Sequence, residues 1–337
     1  MEFIFHANFI LMKQIIELVQ VAIGVRDDLS RMPSEKEWEA LFKEASHQGL
    51  IGITYVGVRK LMGLPGCTLP KKLLLRWSGV AVQLKDQNAH VSARGERVLR
   101  YFRDAGFQAI ILKGQSHLPN YPEELRDLRA PGDIDVWVRG GSKKQVYDLV
   151  RKDCPDEDYG YLHIHYPVFS DTSVEIHIRP AYLCNPLRNH RLQQWAESLD
   201  LEALGEPNAF RDFNAIYQPL HLFKHLLREG ITLRQLLDYY FLLKQEPHTD
   251  VATLRQFGLD GFCRDLQSVV FNIFENKPIS SESEMRLLEE VKQDITEASL
   301  QIEDEWGRLK RVVWMYPGEV LWRPWFWISQ KIWKMFY

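Results

Sequence analysis

Cysteine is scarce and scattered in this chain of 337 residues: Cys67, Cys154, Cys184 and Cys263 are its four, and no two form a Cys-x-x-Cys pair. That spacing argues against a zinc ribbon and a disulfide scaffold, and it fits a reducing compartment. Charge of one sign is lacking as well. The 42 Lys and Arg nearly balance the 45 Asp and Glu, for a formal net charge of −3. Nothing in that balance marks a general polyanion binder, so no long nucleic acid is expected as a partner. No segment reaches the roughly 18 uninterrupted apolar residues of a membrane span. The apolar opening from Phe3 to Met12 has neither the basic leader nor the small-residue cleavage site of a signal peptide. It continues through Ile15, Ile16, Leu18 and Val19 as an amphipathic to buried helix. Internal repeats and low-complexity linkers are missing too. These absences predict a cytoplasmic protein that works on small molecules.

The chain does contain Pro131-Gly-Asp-Ile-Asp-Val-Trp-Val138. In an extended strand side chains alternate, so Asp133 and Asp135 are expected on one face while Ile134, Val136 and Val138 enter a core. Two adjacent carboxylates are costly unless a cation holds them. Mg²⁺ is usually bound by one or two carboxylates together with substrate phosphates and water, so this pattern points to phosphoryl or nucleotidyl transfer.

A turn suited to phosphate lies upstream. Phe107 to Leu112 is an apolar run of strand length that follows Gly106 and ends in Lys113-Gly114. Gly114 lets backbone N–H groups approach an anion, Lys113 adds a mobile charge, and a helix expected to start near Ser116 adds its positive end. Arg126 and Arg129 follow, with guanidinium groups able to clamp phosphate oxygens; Arg126 reads better as a surface residue. A third carboxylate comes from Ser173-Val-Glu-Ile-His-Ile178, where Glu175 and His177 share a face opposite Val174, Ile176 and Ile178. If this strand pairs beside the first, Glu175 joins Asp133 and Asp135 as a metal ligand or stands as a general base.

Leu112-Lys-Gly114, Tyr121-Pro122, Arg129-Ala-Pro-Gly-Asp-Ile-Asp135 and Val174-Glu-Ile-His177 together resemble the DNA polymerase beta-like nucleotidyltransferase superfamily. More narrowly they resemble a bacterial family of uncharacterised nucleotidyltransferases, whose helical half is matched by His221-x-x-x-His225 and Gly230 to Asp238. The resemblance implies an α+β fold in which a small mixed sheet is flanked by helical segments. It also implies transfer of a nucleoside monophosphate from an NTP, with Mg²⁺ or Mn²⁺ as cofactor and pyrophosphate as product. Carried over by position, Asp133, Asp135 and Glu175 become the catalytic metal ligands, and Lys113, Gly114, Ser116 and Arg129 line the nucleotide. The superfamily's usual Gly-Ser or Gly-Gly turn is here Gly114-Gln115, with Ser116 one place later. The expected acceptor is a hydroxyl of a small molecule, glycan precursor or protein. The alternatives are a silent NTP-binding sensor or scaffold of the same fold, and a phosphotransferase releasing phosphate or NDP.

Other polar groups carry structural readings. His163, His165 and His177 fall on two expected strands and could in number hold Zn²⁺, yet the harder Mg²⁺ is the expected ion beside paired carboxylates. His221 and His225, and Arg234 and Asp238, are one helical turn apart and are expected to meet within a buried network or border the pocket. The chain divides into a helical segment 1–98 broken at Pro33, Gly49, Gly63 to Gly66 and Pro70, a catalytic core 99–182, a second helical segment 183–300, and an aromatic, basic tail 301–337. Six of the ten tryptophans occur between Trp306 and Tyr337, among Arg308, Lys310, Arg311, Arg323, Lys331 and Lys334. Such a tail either docks on the core or touches a membrane interface, as Trp and basic side chains favour; Pro317 and Pro324 break it into short pieces.

Overall fold

The computed structural model describes residues 2–157, 160–299 and 305–334, with the side chains of 10–157, 160–297 and 306–331. Helices open the chain: α1 (Glu2–Ala22), α2 (Glu35–His47), α3 (Ile51–Leu61) and α4 (Lys71–Asp104). No proline interrupts the 34 residues of α4, and Trp77, Ala81, Leu84, Asn88, Val91, Gly95, Val98 and Phe102 bury one stripe of it at helical spacing. Gly106, at φ +87°, turns the chain out of α4. Strand β1 (Gln108–Ile111), a 3₁₀ turn over Gly114–Asn120, the short α5 (Glu123–Arg126), β2 (Ile134–Arg139), α6 (Lys143–Asp153), β3 (His163–His165) and β4 (Val174–His177) follow. The remainder is helical: α7 (Pro186–Ser198), α8 (Pro207–Arg228), α9 (Leu233–Leu243), α10 (Val251–Phe257), α11 (Asp260–Glu275), α12 (Glu282–Ser299), α13 (Glu305–Val312), α14 (Pro317–Val320) and α15 (Arg323–Lys334). The helix expected over Ser283 to Gln301 is thus α12, and positions 300 and 301 lie outside the described residues.

The four strands form one mixed sheet in the order β1-β2-β4-β3. β2 runs antiparallel to β1 and parallel to β4, and β3 is an antiparallel edge. The expected α+β architecture is therefore the observed one. Alternation sorts the two faces of the sheet between two cores. Ile134, Val136, Val138, Ile164, Val174 and Ile176 pack with α4 and α6 in one apolar cluster. Trp137 enters the other cluster, with the N- and C-terminal helices, and lies stacked on Phe213 of α8 at 6.0 Å. With both faces covered, β2 is buried almost throughout. Side chains that share Trp137's face, Asp135, Glu175, His177, His163 and His165, accordingly look toward α8 and α9.

Two glycines of α3 set how closely the helical layers approach. A Cβ on Gly57 would lie 2.4 Å from the Leu18 carbonyl oxygen of α1, and one on Gly52 would lie 2.2 Å from that of Leu128. The second contact seats the loop that carries Arg129 directly on α3. At the other end, α13 is tied down by Arg308, which bonds Asp294 Oδ1 at 2.9 Å and the Arg228 carbonyl at 2.7 Å. Pro317 starts α14 and Pro324 lies at the start of α15, so the prolines do divide the tail. Phe326 stacks on Tyr182 at 4.5 Å and 7°. The tail thus docks on Tyr182 and, through Arg308 and Arg323, on the end of α8, while Trp306, Trp314, Trp322, Trp325 and Trp327 remain exposed. Trp333 and Lys334 lie outside the residues whose side chains are described. Among the described residues, no helix is long and apolar enough to cross a membrane.

Candidate active site

The parallel pairing of β2 with β4 sets Asp135 opposite Glu175 and Trp137 opposite His177. The antiparallel edge adds His165 opposite Glu175 and His163 opposite His177. His177 is fully enclosed; its Nδ1 lies 3.3 Å from the Arg179 carbonyl, and its Nε2 lies 3.0 Å from Asp135 Oδ1 and 3.3 Å from Glu175 Oε2. Burial alone would lower the His177 pKa, but bonds to the two carboxylates outweigh it and raise it above the usual histidine range. Lys113 Nζ completes the group, 3.1 Å from the same Asp135 oxygen. Burial opposes its charge, and Asp135 and Glu175 restore it, so the ammonium titrates above the usual lysine range.

These residues fit a divalent cation. Asp135 is 1% exposed, and its Oδ2 has no hydrogen-bond partner among the described residues. Such an orphaned buried oxygen is costly unless something unseen satisfies it. Asp135, Glu175 and His177 can each offer a ligand atom, all within 4.8 Å of one another. Asp133 belongs to no such group among the described residues. Pairing in β2 starts at Ile134, so Asp133 stays in the exposed loop after Pro131-Gly132, at the edge of the same cavity. Burial, Asp135 and Glu175 together raise it above the ordinary aspartate range.

That cavity holds about 470 Å³ between the sheet and α8–α9. Gly114 borders it at φ +69°, a left-handed conformation that suits glycine, and a Cβ there would lie 3.3 Å from the Asp133 carbonyl. Facing the carboxylates, α8 presents Gln218, His221, Lys224, His225 and Arg228, and α9 presents Arg234. Lys224, Arg228 and Arg234 have no carboxylate partner among the described residues. Arg234 donates instead to the carbonyls of Ala130 and Pro131, at 3.1 and 3.3 Å. Burial, followed by Lys113 and Arg228, pulls Lys224 below the usual lysine range despite Glu229. An incoming anion would relieve this cationic wall.

Three expectations change. Arg129 does border the cavity, but it is buried and its guanidinium grips Asp238 through Nε–Oδ1 at 2.6 Å and Nη2–Oδ2 at 2.7 Å. Tyr121 Oη donates to the same Oδ1 at 2.7 Å. Asp238 therefore answers Arg129 and not Arg234, its neighbour one turn away. Ser116 does not line this cavity. It borders a separate one of about 360 Å³ with Ser92, Ile110 and Phe210. The reason is local: the segment is a 3₁₀ turn from Gly114, containing Pro119, and not an α-helix starting near Ser116. His221 and His225 do meet, with rings 4.4 Å apart, and His225 pairs with Glu229 at 3.1 Å.

Sequence reasoning missed His117, Gln218 and Lys224. His117 is buried in the cavity wall beside Gln218, which hydrogen-bonds its ring. Burial pushes its pKa down to about 4. The one available signal was the stripe Gln218, His221, His225 and Arg228 at three- and four-residue spacing.

A family model described as uncharacterised nucleotidyltransferase matches residues 34–256, which takes in every element that lines the cavity. No curated protein and no solved structure matches the chain.

Proposed function

The chain belongs to that family of uncharacterised nucleotidyltransferases, and from this premise we propose that it transfers a nucleoside monophosphate from an NTP to a hydroxyl acceptor, releasing pyrophosphate with the help of Mg²⁺ or Mn²⁺. The observation that carries the proposal is a single cavity with carboxylates on one wall, Asp135 and Glu175, and on the other Lys224, Arg228 and Arg234, cations that pair with no carboxylate among the described residues. A polyphosphate with its metal has the complementary charge pattern.

In this reading Asp135 and Glu175 hold the ion with Asp133 at the cavity edge. Bound there, the ion would offset charge on the phosphates and make the acceptor hydroxyl easier to deprotonate. Burial works to raise the Glu175 carboxyl, yet His177, His163 and Lys113 keep it well below the usual carboxylate range. That suits a ligand better than a general base. Lys224, Arg228 and Arg234 hold the β- and γ-phosphates, which depart together as the acceptor oxygen bonds to the α-phosphorus. Gly114 and Lys113 line the entry turn, and Arg129 acts by fixing the loop through Asp238. Ser116 has no part in it.

The acceptor is a small molecule, glycan precursor or protein. The protein works in the cytoplasm, with its tail at the inner face of a membrane. Supporting this, the tail carries five exposed tryptophans, and among its described side chains the exposed charged ones are Lys310 and Lys331, while Glu319 is buried. Anionic lipid is the surface such a face matches.

A second reading, a silent NTP sensor or scaffold, is favoured by one observation: Lys113 already supplies Asp135 with a cation. Pyrophosphate release from each NTP with Mg²⁺ or Mn²⁺ and a metabolite extract as acceptor, compared between wild type and Asp135→Asn/Glu175→Gln, separates the two. Release by the wild type alone supports transfer; metal-dependent NTP binding with no release supports the sensor.

A further inference from the structure

We propose that His163, His165 and Glu175 form a second cation site, one that takes a nitrogen-binding divalent transition metal of the series from Mn²⁺ to Zn²⁺. The two histidines stand two residues apart on the edge strand β3, so they share a face, and the register sets Glu175 of β4 opposite His165. Each of the three offers a ligand atom, and all lie within 4.8 Å of one another. The imidazole rings are 5.2 Å apart, centre to centre. His163 Nδ1 is buried 3.2 Å from Glu175 Oε2 and makes no hydrogen bond among the described residues. A ring nitrogen that approaches a carboxylate oxygen without hydrogen-bond geometry is placed for a cation shared between them.

The donor set determines the class of ion. Two imidazole nitrogens and one carboxylate are the facial set used by transition metals with open coordination positions, and affinity at such sites climbs along the first-row series. Mg²⁺ demands oxygen ligands and keeps its water. Three protein ligands leave room for an exogenous one, as in catalytic and not structural sites. His163 borders the 470 Å³ cavity while His165 is exposed, so an ion here would be reached from solvent and would sit at the cavity's edge. Glu175 links this site to the oxygen-rich Asp135 wall, giving a pair of unlike metal positions. The inference deepens the proposed transfer reaction, but it concerns binding of metal alone.

The test uses the full chain without nucleotide, titrated with Co²⁺ in excess Mg²⁺ and followed by visible absorbance and calorimetry. Wild type is expected to retain Co²⁺ against Mg²⁺. His165→Ala, an exposed position whose loss leaves both cores intact, is expected to weaken Co²⁺ binding by at least roughly 10-fold, and His163→Ala/His165→Ala to abolish the Co²⁺ absorbance. Equal Co²⁺ affinity in wild type and His165→Ala, or displacement of Co²⁺ by comparable Mg²⁺, would overturn the site. Because no NTP is present, failure of nucleotidyl transfer leaves this result unaffected.

Discussion

Arg129 and Asp238 hold each other through two hydrogen bonds, at 2.6 and 2.7 Å, across 109 positions of chain. Both are buried, and the pair fastens the loop before β2 to α9. Removing one partner strands a charge in the interior. Asp238→Ala is therefore expected to cost about 3–5 kcal/mol of stability, measured by chemical denaturation. A smaller loss than 1 kcal/mol would mean that water reaches Arg129.

The carboxylates of the sheet are expected to carry chemistry and stability together. Asp135→Asn and Glu175→Gln should lower metal-dependent NTP turnover by at least roughly 10²-fold, and should also lower thermal stability, because Lys113 and His177 lose their charge partners. Turnover assays paired with thermal melts check both halves.

Lys224→Ala and Arg234→Ala should each weaken NTP binding by about 10-fold, the scale of one lost charge-assisted contact, and should flatten its salt dependence. Calorimetric titration of NTP at two ionic strengths reads both effects. Unchanged affinity in both variants would remove the α8–α9 wall from phosphate binding.

His117 titrates at about 4 in the fold against about 6.5 in an unfolded chain. Between those values the unfolded state binds more protons, so stability present above pH 6.5 is lost as pH falls toward 4. The loss attributable to this residue is on the order of 3 kcal/mol. His117→Gln should show a shallower decline of unfolding free energy over that interval; an identical decline would place the acid sensitivity elsewhere.

The tail should bind vesicles containing anionic lipid and ignore neutral ones. Replacing Trp314, Trp322 and Trp325 by Ser is expected to abolish co-sedimentation without altering the melting temperature, since all three are exposed. Full co-sedimentation of that variant would sink the membrane contact.

Much of the sheet was legible because period-two patterning is a local property. Asp135 and Glu175 could be assigned one face each from their apolar neighbours, and only their mutual pairing needed the structure. What could not be read depended on distant partners or on helix rotation. Nothing near Arg129 announces Asp238. Lys224 reads as an ordinary helical lysine until the packing of α8 turns it toward Glu175. Ser116 was misplaced because a 3₁₀ turn advances about 120° per residue, against 100° in an α-helix, which swings its hydroxyl to another side of the backbone. His163 and His165 were seen on one face, but their distance from Glu175 follows from the edge pairing of β3.

At Gly52 the missing side chain leaves the Leu128 carbonyl oxygen 2.2 Å from where a Cβ would stand. The N-terminal helices are therefore a foundation whose height is set to within the size of one methyl group, and the loop leading to Asp133 and Asp135 rests on it. A designer seeking a minimal transferase by cutting away the first 98 residues would remove that bearing surface. Conversely, Gly52→Ala offers a wedge about 80 positions upstream of Asp133 and Asp135 in sequence, and it would tilt them without touching any charged side chain.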